Sequence, residues 1–130
     1  MGHRLARHPV EALRGLSGEE AVTALQKLLE QVMPVDEERR AEAIVVVEFV
    51  RASRVRSVFA PTAAGMAKDL MEVIEGALVA LQVSRPREAA REISALIGGL
   101  TLDAVTPHGA LGEEEVRATL RRALRRIICA

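Results

Sequence analysis

From Arg87 to Ile127 the sequence runs REAAREISALIGGLTLDAVTPHGALGEEEVRATLRRALRRI, and no other stretch limits the possible folds as tightly. Apolar residues recur at Ala89, Ile93, Leu96, Ile97, Leu100 and Ala104, three and four apart, which is the period of one helix face. Pro107, Gly109 and Gly112 interrupt that run. A second run opens on Glu113, Glu114 and Glu115 and closes among Arg121, Arg122, Arg125 and Arg126. Acid at the start and base at the end suit the helix dipole at both termini. The stretch therefore reads as two amphipathic helices joined by a Pro/Gly turn. Within the first of them, Gly98-Gly99 costs about 1 kcal/mol per glycine relative to Ala. Close backbone approach across a dimer interface would offset that cost; the alternatives are a tolerated kink or close packing within the chain.

The punctuation upstream divides the rest of the chain in the same way. Pro9 to Arg14 reads as a short first piece stopped by Gly15. Ser17 followed by Glu20 spells a capping box, and Ala21, Val22, Leu25, Leu28, Leu29 and Val32 follow on one face until Pro34. Asp36 is an N-cap residue for a helix running to about Arg56, with Glu37 and Glu38 at its positive end. That helix is apolar on nearly every side, through Ala41, Ile44, Val45, Val46, Val47, Phe49, Val50 and Val55, and so is expected at the centre of the fold. The run Ile44 to Val47 also suits a buried strand, but its Ala- and Arg-rich flanks carry no turn residues. A further helix is expected from Pro61 to about Gln82, with Met66, Leu70, Val73, Ile74, Ala77, Leu78 and Leu81 inward, and Ser84 and Pro86 open the next. No strand pair, hairpin dipeptide or internal repeat is present. The fold class is all-α: five to six helices in an orthogonal or antiparallel bundle, the last two forming a hairpin.

Composition narrows the chemistry. Of the 130 residues 49% are hydrophobic but only 2% aromatic, so the core is aliphatic. Eighteen basic and 18 acidic residues cancel, so no overall field draws the chain to nucleic acid or an anionic membrane. The single cysteine, Cys129, rules out an internal disulfide and fits a reducing compartment. No apolar run approaches the roughly 20 residues that span a bilayer, and the first residues lack a signal peptide's apolar segment, so a cytoplasmic location is expected. His3, His8 and His108 have no Cys or acidic neighbours at metal-ligand spacing. With no nucleophile elbow, phosphate loop or dinucleotide fingerprint, neither an enzyme nor a cofactor is expected.

Four local patterns then occur in a familiar order. QVMPVDEERRAEA, Gln31 to Ala43, is followed by VVVEFVRAS with Phe49 at its centre, by EISALIGGLTLDAV with Gly99, and by PHGALGEEEVRATLRRAL. From Ser17 to Ile127 the chain resembles the C-terminal domain of TetR-type transcriptional regulators; Gly98 departs from the Asp usual before the family's glycine. The resemblance implies residues 17–130 as a ligand-binding and dimerisation domain, with residues 1–16 as the end of a connecting helix. Those sixteen residues are too few for a helix-turn-helix, so this chain by itself is not expected to bind an operator.

The resemblance also implies a cavity for a small effector beside the helix from Asp36, lined by Leu29, Val47, Val50, Phe59, Met66, Leu70 and Ile74. Their apolar spacing alone says only that these positions are core-like. Glu48 shares a face with Ala41, Ile44, Ala52 and Val55, and is either a pocket acid or a structural partner of Arg51. With only Phe49 and Phe59 available, an aromatic cage for a quaternary ammonium is excluded and an aliphatic or lipid-like effector is favoured. A twofold contact between copies is expected at Ile93, Ile97, Gly98, Gly99, Leu100, Leu120, Leu124 and Ile127. The arginines from Arg117 to Arg126 read as a solvated helix face rather than a nucleic-acid patch. The first reading is the effector-sensing, homodimeric domain of a TetR-like repressor. A freestanding helical protein that forms mixed dimers with a full-length regulator, or a small lipid-binding bundle, remain open alternatives.

Overall fold

The computed structural model describes residues 10–107 and 111–130. A 3₁₀ turn at Val10–Leu13 precedes five α-helices: α1 (Gly18–Glu30), α2 (Glu37–Ser53), α3 (Ala60–Ala80), α4 (Pro86–Val105) and α5 (Glu113–Ile128). A second 3₁₀ turn, Ser57–Phe59, leads into α3, and no strand occurs among the described residues. The expected connecting helix falls largely on residues 1–9, and part of the Pro/Gly turn on residues 108–110; both lie outside the described residues, as do His3, His8 and His108.

Local chemistry sets most helix boundaries. The Asp36 carboxylate accepts a hydrogen bond from the Arg39 backbone N–H at 2.7 Å, which caps α2 as its sequence predicts. Ser17 occupies the corresponding position before α1, but its hydroxyl makes no capping bond. Gly18 enters the helix at φ +57°, which turns the chain away from regular N-cap geometry, so the expected box with Glu20 does not form. Pro86 opens α4 from Arg85, a left-handed residue at φ 52°. The end of α3 is a Schellman arrangement: Gln82 N–H bonds to the Val79 carbonyl and Val83 N–H to the Leu78 carbonyl, each at 3.0 Å. The left-handed position in that motif, at φ 59°, is held by Gln82 where glycine would be unstrained.

Two helix pairs build the core. α1 packs against α5, and α3 against α4, with α5 also lying along α4. Leu25 and Leu29 of α1, Ile74 and Leu78 of α3, Ile93 of α4, and Leu120 and Leu124 of α5 are fully buried. The connection after α1 joins them, since Met33, Pro34 and Val35 are also fully enclosed. Pro34 thus ends α1 and fills the core as well, a role its sequence position does not disclose.

The α1–α5 contact carries a polar ladder along one edge. Glu19, Thr23, Gln26 and Glu30 recur at helical spacing on α1 and face Arg117, Arg121 and Arg125 on α5. Arg125 binds both Glu19 carboxylate oxygens, at 2.7 and 2.9 Å, and Arg121 reaches Glu19, Thr23 and Gln26. Gln26, buried to 8% exposure, donates to Glu30 at 2.8 Å and to the Arg117 carbonyl at 3.3 Å. The arginines expected on a solvated face are therefore split. Arg117, Arg121 and Arg125 lock α5 to α1, while Arg122 and Arg126 face outward.

The main correction concerns α2. Its apolar circumference places it at the centre by sequence, yet only Ala43 is buried. Val45 is 68% exposed, and Val55 and Val58 beyond the helix are 83% and 74% exposed. The four other helices already satisfy one another's apolar stripes, so α2 lies across α3 and α4 as an outer layer.

Two outcomes follow from these contacts. Gln82→Gly relieves the left-handed strain and should stabilise the chain by about 1 kcal/mol, raising the melting temperature by a few degrees. In the folded chain the hydrogen bond from Arg125, joined by Arg121 and both guanidinium charges, lowers the Glu19 pKa from 4.5 to about 2. The unfolded chain therefore binds more protons at this site, so the Glu19 contribution is complete above about pH 4.5 and is lost as pH falls toward 2. Acid titration of unfolding should show Glu19→Gln less stable than the parent at neutral pH, with the gap closing across that window.

Candidate functional site

α2 is held at its two ends and stands away from the bundle between them. At its start Arg39 pairs with Asp36 at 3.1 Å and reaches Gln31, while Arg40 donates to the carbonyl of Ala104 near the C-terminus of α4. The second contact meets the negative end of the α4 dipole with a cation and occupies a carbonyl that the helix leaves free. Toward its other end, Phe49 packs against Phe59 with ring centroids 5.3 Å apart and planes tilted by 49°. The only two aromatic rings in the chain are thus spent where α2 turns into α3.

Between those ends lies an open-mouthed cavity of about 630 Å³, a size that suits a small organic molecule. α2 contributes Ala43, Val46, Val47, Val50, Arg51 and Arg54, α3 contributes Ala63, Met66, Ala67 and Leu70, and Val32 adds to the floor. α4 supplies Ser94, Ile97, Gly98, Thr101 and Leu102. The space exists because short residues oppose one another: Ala43 on α2, Ala63 and Ala67 on α3, and Gly98 on α4. A Cβ placed on Gly98 would meet nothing within 4 Å.

The wall is apolar apart from two hydroxyls and two guanidinium groups. Arg51 binds Glu48 at 2.6 Å, and that carboxylate is 57% exposed. Arg54 makes no ion pair or side-chain hydrogen bond among the described residues. The lining holds no carboxylate, imidazole or thiol to move a proton or attack a substrate.

Of the residues expected to line a pocket, Val47, Val50, Met66 and Leu70 do so. Leu29 and Ile74 are instead fully buried in the core, and Phe59 is occupied with Phe49. Glu48 points outward to Arg51, not into apolar surroundings, which is the structural pairing the sequence left open. The lining of the α2 segment that the sequence does not disclose is Ala43, Val46, Arg51 and Arg54, because a helix apolar all round gives no sign of which stripe faces the cavity. The contributions of α4 are hidden for a different reason, since Ile97 and Gly98 suit a contact between copies equally well.

The residues expected at a twofold contact lie largely in the core of the single chain. Ile93, Ile97, Leu100, Leu120 and Leu124 are buried within the single chain, and Ile127 packs partly against the same core. Their stripe packs against α1, α3 and the α4–α5 contact itself. Gly98 and Gly99 are exposed, and Gly99, like Gly98, has open space where its Cβ would stand. Close packing within the chain therefore does not explain either glycine. Around Gly99 the outward face of α4 presents Glu92, Ala95, Leu102 and Asp103, and that of α5 presents Ala118, Thr119, Arg122 and Arg126.

A family model for the C-terminal domain of BetI-type transcriptional repressors matches residues 21–128. No curated protein and no solved structure gives a match. No helix among the described residues is long and apolar enough to cross a membrane. The matched residues include nearly all of α1, the whole of α2 to α5, and every residue lining the cavity. The chain thus belongs to the TetR C-terminal domain family, of the BetI type, a family of regulators and not of enzymes.

Proposed function

We propose that this bundle is the effector-sensing and dimerisation domain of a TetR-like transcriptional repressor, acting in the cytoplasm as a homodimer. The observation that carries the reading is the double use of α4. One side of it, through Ser94, Ile97, Thr101 and Leu102, closes the cavity, while the adjoining exposed side presents Ala95 and Gly99. A ligand that prefers one placement of α2 against α4 is then linked to the geometry of the dimer. Through the dimer it is linked to the spacing of DNA-reading domains outside this bundle. Binding of operator DNA is not a task of these residues.

The dimer face in this proposal is the outward side of α4 and α5, not their buried stripe. Gly99, Ala95 and Ala118 allow close backbone approach, and Leu102 and Thr119 add area. Glu92 and Asp103 on α4 make no ion pair among the described residues, and neither do Arg122 and Arg126 on α5. A twofold axis that lays α4 of one copy on α5 of the other would pair them, since an isologous contact repeats each interaction twice. The open space at Gly99 means a larger side chain there does not disturb one protomer.

Analytical ultracentrifugation tests the dimer. The parent should sediment at twice the 14.1 kDa chain mass. Gly99→Leu should weaken association by about tenfold or more without destabilising the monomer, whose helix gains up to about 1 kcal/mol from loss of the glycine. A parent that stays monomeric at micromolar concentration, or a dimer indifferent to Gly99→Leu, would remove this face from consideration.

A further inference from the structure

We infer that the ligand of the cavity is an anionic amphiphile, an unbranched aliphatic tail ending in a carboxylate, with its head at Arg54 and Arg51. The inference rests on the effector-cavity reading above and adds the chemical class.

Charge is the first argument. Arg51 and Arg54 lie three residues apart at the end of α2 and both border the cavity. Among the described residues Glu48 is the one carboxylate engaged with them, and it is bound to Arg51 through two hydrogen bonds of 2.6 and 3.2 Å. The mouth is left with an excess positive charge. The Arg54 guanidinium is not spent on the end of its own helix either. The N–H groups of Arg54, Val55 and Arg56 satisfy the carbonyls of Arg51 and Ala52, and the Ser53 hydroxyl binds the Val50 carbonyl at 2.6 Å. A planar guanidinium with free donors beside an apolar wall matches a carboxylate, to which it can donate two parallel hydrogen bonds.

Shape and surface supply the second argument. Behind the arginines the wall is Val46, Val47, Val50, Met66, Leu70 and Ile97, branched aliphatics with one flexible thioether that adapts to a chain of variable length. No ring lines it, because Phe49 and Phe59 face each other. A flat aromatic ligand has nothing to stack on. A quaternary ammonium finds no aromatic face and no carboxylate, and is repelled at the entrance.

Isothermal titration calorimetry of the intact chain with decanoate, decanol and decyltrimethylammonium, all below micelle-forming concentrations, tests the idea. Decanoate should bind about tenfold more tightly than decanol, the lower end for a charge-assisted hydrogen bond, and the ammonium most weakly. Across octanoate, decanoate and dodecanoate each added methylene should tighten binding about fourfold until the tail fills the cavity. Arg54→Gln should abolish the advantage of decanoate over decanol and leave decanol unchanged. Arg54 is exposed, so the variant should melt with the parent. Equal affinity for all three probes, or an equal loss of decanoate and decanol binding in Arg54→Gln, overturns the anionic head and leaves the cavity reading standing. Absence of binding by every probe overturns both.

Discussion

The pairing of α1 with α5 holds the rest of this molecule in place. These helices come from opposite ends of the chain, and residues about a hundred positions apart meet between them, as Glu19 meets Arg125. Apolar burial of Leu25, Leu29, Leu120 and Leu124 supplies the non-directional part of the attraction. It does not choose a register, because aliphatic surfaces tolerate sliding. The polar ladder does. Gln26 is buried and needs its partners, and a shift of one turn would take its amide off the Arg117 carbonyl and break the two-oxygen contact of Glu19 with Arg125. With the ends of the chain locked, α3 and α4 have one platform to pack on, and the Met33–Val35 connection is sealed beneath them.

The helix left over forms one wall of the cavity. Toward its start Arg40 of α2 reaches the Ala104 carbonyl and toward its end Phe49 meets Phe59, with Ala43, Val46, Val47 and Val50 facing the cavity between them. Packed interiors resist deformation, but a helix separated from them by a cavity can move without opening the core. The same arrangement explains why so many valines of α2 remain uncovered in a single chain. Movement of α2 would be felt by α4, the one helix that borders the cavity and also turns Gly99 outward.

Much of this architecture is legible in the sequence for identifiable reasons. Asp36 caps α2 because a short carboxylate placed before a helix finds an unpaired N–H within reach. Pro61 and Pro86 open helices because their rings fit only the first turn. The buried stripes of α1 and α4 follow the helical period, so Leu25, Leu29, Ile93 and Ile97 are recognisable as inward residues. What they face is not recognisable. The apolar side of α4 suits a partner copy as well as it suits α1 and α3, and period alone does not say that Ile93, Leu100, Leu120 and Leu124 are covered within one chain. The ladder partners of Arg121 and Arg125 lie too far along the chain for any local pattern to connect them. Gln82 in a left-handed turn leaves no mark either, because the residue that would announce it, glycine, is absent.

The sequence alone determined the all-α class, the helix boundaries to within a turn, the aliphatic core and the TetR resemblance. Each of these depends on period, caps or composition, which are properties of neighbouring residues. Tertiary structure alone decided that α2 is outside and not central, that Glu48 answers Arg51, and that Arg54 stands at the mouth of a cavity. It also turned Gly99 to solvent while burying Leu100 beside it. Those outcomes depend on which apolar faces find each other first in energy. A helix apolar all round can satisfy many neighbours, so its place is set by what the other four helices leave uncovered.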